Sequence, residues 1–301
     1  MYSKRELLLF SVLQTYSEGR YANILRKLFS SSKDGRDSYF LDSFLGKDAF
    51  MQEEKKKLAF LWEENRKQEL EEEIRKVEET CHKNGIQLLF YGEEKYPDLL
   101  KEIKNPPYVL YIKGKFPGEE TLHGSFALVG TRDCSEKGKE FAKKAGQYFK
   151  KKQIYNISGL ARGIDSIGHI ETLGQTGAIL GQGLANEIYP RENGYLASRI
   201  LDTGGFLLSE LPPFTPISVQ HLIQRNRLQT ALTSGVVLAE IGLQGGSMHT
   251  FQFAKEQGKK IYVASFNQEF IRKHYKEVIV LENIHQFEKK QKEGLKQKSL
   301  F

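Results

Sequence analysis

From Ile86 onward, short apolar runs alternate with segments whose apolar residues recur every three or four positions. IQLLFYG predicts a strand, and the Pro-Pro pair in KEIKNPPYVLYIKG blocks a helix and sets up the strand YVLYI. The alternation then becomes regular. SFALVG precedes the amphipathic GKEFAKKAGQYFKKK, and IYNISG precedes a helical segment with Ile164, Ile167, Ile170 and Leu173 on one side. TGAILGQG precedes GYLASRILDTGG, FLLSEL precedes SVQHLIQRNRLQTALTSG, and VVLAEI precedes SMHTFQFAKEQG. KIYVAS follows, and EVIVLEN adds a last strand. Near-continuous apolar strands separated by amphipathic helices predict a mostly parallel sheet covered on both faces. The fold class expected is α/β: an extended Rossmann-like, doubly wound sheet.

The chain before Ile86 has another pattern. The segment from Met51 to Gly85 is rich in Glu and Lys, with apolar residues at Leu58, Leu61, Leu70, Ile74 and Val77. That spacing gives a narrow apolar stripe on a long, ion-paired helix packed on one face. Gly85 stops it, and Ser30–Gly35 reads as a loop. The expected organisation is an N-terminal helical region over 1–85, the sheet domain over 86–288, and a frayed basic tail over 289–301 with no winged-helix domain.

In doubly wound sheets, ligands bind beyond the carboxyl ends of the strands. Gly130-Thr131-Arg132 follows the SFALV strand, with Ser135 placed to cap the next helix so that its free N–H groups face the crevice. Ser158-Gly159-Leu160-Ala161-Arg162-Gly163 follows IYNIS. Tyr189 and Pro190 lie beyond the AILGQG strand, Arg225-Asn226-Arg227 beyond FLLSEL, and Gly245-Gly246-Ser247 beyond VVLAEI. A Gly alone marks a tight turn, and a lone Arg a surface ion pair. Together they predict one edge lined with N–H donors and guanidinium groups, suited to anions. There is no GxGxxG after the first strand, no acidic residue at the end of the second, and no GxxxxGK[ST] loop, which argues against a dinucleotide dehydrogenase and a P-loop ATPase.

No nucleophile stands with a base at a diagnostic spacing, so no catalytic residue, cofactor or metal is assigned. Asp165 reads as a charge favoured by the helix start, His169 as a packing residue, and Glu240 as an anchor for Ser or Arg across the crevice. Cys81 and Cys134 lack CxxC spacing, which fits a reducing cytoplasm. No apolar run approaches the roughly 20 residues of a membrane helix. The formal charge of +7 over 301 residues favours a polyanionic partner.

The run YPDLLKEIKNPPYVLYIKG, VGTRDCSEKG, SGLARGIDSIGH, GQGLANEIYPREN, GGFLLSELPPFTP and QRNRLQTALTSGVVLAEIGLQGGSMHT, in that order, resembles the DNA-processing protein A (DprA, or Smf) family. The resemblance covers roughly Tyr96 to Ala264. It implies a homodimeric protein that binds and protects single-stranded DNA and loads a RecA-type recombinase in transformation, without a catalytic step. It also implies phosphate contacts from Arg132 and Arg162, a pocket shaped by Ser158, Gly159 and Gly163, a basic rim from Arg225 and Arg227, and an opposite lip at Gly246 and Ser247. Departures are Gly168 before His169, a less apolar stretch after Arg227, and Ser265-Phe266 after the late strand. The alternative is a nucleotide-binding enzyme or sensor related to nucleotide phosphoribohydrolases. GGSMHT is reminiscent of their GG-x-GT turn, but Gln252 leaves the expected acid missing until Glu256.

Overall fold

The computed structural model describes residues 3–16 and 64–298. Helices α1 (Lys4–Tyr16) and α2 (Glu64–Lys83) precede strand β1 (Gln87–Phe90). Then come α3 (Asp98–Lys101), β2 (Val109–Gly114), α4 (Glu119–His123), β3 (Phe126–Val129), α5 (Glu136–Lys151), β4 (Asn156–Ser158) and α6 (Ile164–Glu171). β5 (Thr176–Ile179), α7 (Gly194–Asp202), β6 (Phe206–Ser209), α8 (Val219–Gln224) and α9 (Asn226–Ala231) follow. β7 (Gly235–Leu238), α10 (Gly246–Glu256), β8 (Lys260–Ala264), α11 (Gln268–His274), β9 (Ile279–Leu281) and α12 (Phe287–Lys298) complete the order.

The nine strands form one sheet in the order β1-β2-β6-β5-β4-β3-β7-β8-β9. Strands β3 to β9 are mutually parallel, as the alternating pattern predicts. β2 runs antiparallel to β6, and β1 antiparallel to β2. Side chains alternate across the pleat. Phe126 and Leu128 of β3 pack with Phe141, Ala145 and Phe149 of α5 on one face, while Ala127 and Val129 meet Phe251 and Ala254 of α10 on the other. Both faces are therefore apolar, as a covered parallel sheet demands.

The N-terminal helices belong to this core. On α2, Leu70, Ile74 and Val77 form the buried stripe that the spacing predicts, and Cys81 extends it. It packs with Leu7, Leu8 and Phe10 of α1 against Val109 and Tyr111 of β2. The Oγ of Ser11 and the hydroxyl of Tyr111 lie 3.0 Å apart. Gly85, at φ +62°, ends the helix as expected. Leu58, Leu61 and the loop over Ser30–Gly35 lie outside the described residues.

Two local expectations are corrected. The segment from 289, read as a frayed tail, continues α12 to Lys298, because Phe287 plugs among Phe126, Phe149 and Tyr262 and anchors the helix start. The stretch after FLLSEL forms two short helices rather than one, and they meet at Arg225, whose side chain turns into the protein.

Candidate nucleic-acid interface

From β3 the chain winds outward through β4, β5 and β6; from β7 it winds the other way through β8 and β9. The winding reverses between β3 and β7, so the helices that follow them leave on opposite faces and open a crevice at the carboxyl ends. Two concavities lie there, with Arg132 in the wall of both.

The first is a cleft of about 330 Å³ lined by Arg132, Gly159, Ala161, Arg162, Tyr189, Pro190, Leu222 and Arg225. Arg225 forms its floor, and its Nη1 donates to the carbonyl of Ile179 at 3.0 Å and to Gln229 Oε1 at 3.1 Å. Its Nε is buried and has no acceptor. The guanidinium passes directly under Gly159, where a Cβ would lie 1.4 Å from Nη1. Only glycine leaves room for it. Arg162 is exposed and ion-paired with Glu192, while Arg132 is exposed and makes no ion pair among the described residues. Tyr189, 44% exposed, stands beside them.

The turn from β4 into α6 is held from within. The Asp165 carboxylate accepts the Gly159 N–H at 3.0 Å and is buried facing Arg225. It stands in the first turn of α6, as the sequence suggests, and from there also braces the turn ahead of the helix. Asn193 Nδ2 donates to the carbonyl of Leu160 at 2.8 Å, which secures a residue with φ of +57°. Gly163, at φ +72°, brings the turn against the Thr131 and Arg132 carbonyls, where a Cβ would sit 2.6 and 2.3 Å away. Gly130 does the same for the Glu240 carbonyl at 2.6 Å, and Thr131 N–H donates to that oxygen at 2.9 Å. Ser158 points inward and donates to the Leu128 carbonyl at 3.0 Å.

Burial shapes the electrostatics. It pulls Arg225 down to about 10, against the opposing pull of Asp165, and it pushes Asp165 upward, against Arg225 and the Gly159 N–H. It also lowers His169 to about 3, so this ring is neutral. Thr176 Oγ1 gives its proton to the Asn156 carbonyl at 2.9 Å, so His169 Nδ1, 2.7 Å from the same oxygen, is the donor to it. His169 is a core residue, as its position within a helix suggests.

Arg227 is placed differently from Arg225. It is turned into the protein and ion-paired with Glu210, with side-chain exposures of 10% and 13%. The structure does not bring it into the cleft, nor does it bring Gly246 and Ser247 there. Asn226 donates to the Gly246 carbonyl at 3.3 Å, tying α9 to the start of α10. Ala161, Pro190 and Asn193 stand in the strand-end runs that the sequence marks but carry no role there, and Leu222 is not marked at all. Of these, the polar Asn193 in the PREN run was the readable signal.

The second concavity, about 1090 Å³, lies at the β3/β7 crevice and includes Arg132, Asp133, Cys134, Ser135, Lys139, Ile167 and Glu240. Ser135 caps α5 by accepting the Gly138 N–H at 3.2 Å. Glu240 Oε2 in turn accepts the Ser135 N–H at 2.8 Å and its hydroxyl at 3.1 Å. The protein's own carboxylate therefore fills the N–H of the cap residue Ser135, ahead of the free N–H groups of the helix itself. Gly138 permits this, since a Cβ there would lie 1.9 Å from Oε2.

The sheet order and the position of both clefts define a doubly wound α/β protein with its ligand edge at the topological switch. Residues 87–279 match the model of the DNA recombination-mediator protein A family, and the chain belongs to that family. It is 35% identical to Protein Smf of Escherichia coli over 173 residues, 56% of this chain and 45% of that protein. It is 34% identical to the DNA processing protein DprA of Bacillus subtilis over 183 residues, 59% of this chain and 60% of that protein. The match thus spans about half the length of these relatives. DNA processing protein A from Helicobacter pylori, solved for its single-stranded DNA binding mode, superposes with a TM-score of 0.61 at 24% identity, over 68% of this chain and 95% of that one. DprA from Streptococcus pneumoniae superposes with a TM-score of 0.60 at 22% identity, over 94% and 93%. These likenesses establish the fold. Among the described residues, no helix is long and apolar enough to cross a membrane, and no group of His, Cys, Asp and Glu could hold a metal.

Proposed function

We propose that the cleft floored by Arg225 holds the phosphates of single-stranded DNA, and that the protein protects such strands and passes them to a RecA-type recombinase in DNA transformation or recombination. The observation that carries this reading is the convergence of Arg132, Arg162 and Arg225 on one cleft beside an exposed Tyr189. Guanidinium groups neutralise a backbone without reading sequence, and an exposed ring offers a stacking face worth about 1–3 kcal/mol per base. Family membership supports the same reading, together with a homodimer in the cytoplasm and binding without turnover.

The test is binding of a labelled single-stranded oligonucleotide against the same sequence as duplex, at two salt concentrations. Three cations on phosphates give a log–log slope of about -2, so affinity should fall roughly twentyfold from about 50 to about 200 mM salt. Equal affinity for duplex, or no binding at low salt, overturns the reading. The mononucleotide-hydrolase alternative lacks support at α10, whose first turn holds no acid. Release of free base from a nucleoside monophosphate would restore it.

A further inference from the structure

The β3/β7 crevice is not a second phosphate site. Arg132 and Lys139 line it, but so do Asp133 and Glu240, and Lys139 is already ion-paired with Glu136 at 2.6 Å. The anion position at the head of α5 is taken by Glu240 Oε2, which a phosphate would have to displace against like-charge repulsion. What the crevice offers instead is apolar surface from Ile167 and Cys134 beside a carboxylate of fixed orientation. One oxygen of that carboxylate is held by Ser135. The other, Oε1, has no hydrogen-bond donor among the described residues.

We propose that this crevice seats a nucleobase of the strand whose phosphate lies on the other side of Arg132, and that Glu240 Oε1 selects bases presenting an exocyclic amine. This inference rests on the single-stranded DNA reading above. The chemistry follows from the base edges. Cytosine presents an N4 amine that donates to a carboxylate, whereas thymine presents the O4 carbonyl at the same position, which a carboxylate repels. Arg132, shared by both concavities, is the ridge over which the backbone turns. The cleft on the Arg225 side reads charge alone, and the crevice on the Glu240 side adds a preference among bases. Oε1 is pre-oriented because Oε2 is clamped, so little ordering is needed on binding.

The experiment compares oligo-dC and oligo-dT of equal length by fluorescence anisotropy at about pH 8, where cytosine is unprotonated. A hydrogen bond to a charged acceptor at a partly exposed site should favour dC by about three- to tenfold. Glu240→Gln keeps a carbonyl for Ser135 and turns an amide N–H₂ toward the crevice, so the preference should invert toward dT. A thermal melt checks that the variant folds, and the wild-type comparison stands without it. Equal affinity of the wild type for dC and dT, or a dC preference untouched in folded Glu240→Gln, overturns this inference while leaving strand binding intact. Failure to bind either strand overturns the functional reading itself.

Discussion

Arg225 and Arg227 are two residues apart in the chain, and both are nearly buried, yet their surroundings differ in kind. Arg227 meets Glu210 in a closed ion pair. Arg225 faces Asp165 across the turn, leaves Nε without an acceptor, and floors a cleft open to solvent. Each leaves one buried nitrogen without an acceptor, Nε in Arg225 and Nη1 in Arg227, so it is the cleft above Arg225, and not incomplete pairing, that prepares it for an outside anion. The difference is marked by Gly159, whose missing side chain makes the space Arg225 occupies.

This contrast can be broken in order of expected effect. Arg227→Ala strands Glu210 and should cost about 3–5 kcal/mol in chemical denaturation, while single-strand affinity of the folded protein changes less than about twofold. A large affinity loss at intact stability would mean that Arg227 also reaches the ligand. Gly159→Ala pushes a methyl into the Arg225 guanidinium and should cost about 1–3 kcal/mol of stability. It should also weaken strand binding about tenfold or more, because the displaced cation loses its charge-assisted contact. Wild-type affinity in this variant would remove Arg225 from the interface. Arg132→Ala and Arg162→Ala should leave stability within about 0.5 kcal/mol and flatten the salt slope by about 0.7 each. The drop should be smaller for Arg162, which Glu192 already holds.

The sheet was readable because its strands are apolar throughout and its helices are not. SFALV and VVLA fit between two covered faces, and Gly130 marks the end of the first of them. The separation of Arg225 from Arg227 was not readable. In QRNRLQ they look alike, and only the bend where α8 meets α9 sends one to Asp165 and the other to Glu210. Asp165 was half legible for the same reason: a helix start explains an acid locally, and it does stand in the first turn, but its partners Gly159 and Arg225 are set by tertiary structure. The antiparallel edge was hidden too, because YVLYI carries apolar residues on both faces whichever way it runs.

The place of β2 in the sheet also sets a schedule for synthesis. Its Tyr111 and Gly114 pair with Ser209 and Phe206 of β6, and its other face receives α1 through Tyr111 and Ser11. Pairing that closes over such distances comes late, since the entropy of bringing the ends together must be met first. A chain leaving the ribosome exposes the apolar side of α1 until α2 and then β2 are made, and β2 stays an open edge until β6 emerges. The first helix thus finds its place early, whereas the free edge of β2 waits until Phe206–Ser209 is made, which makes that edge the feature that depends most on a holding chaperone.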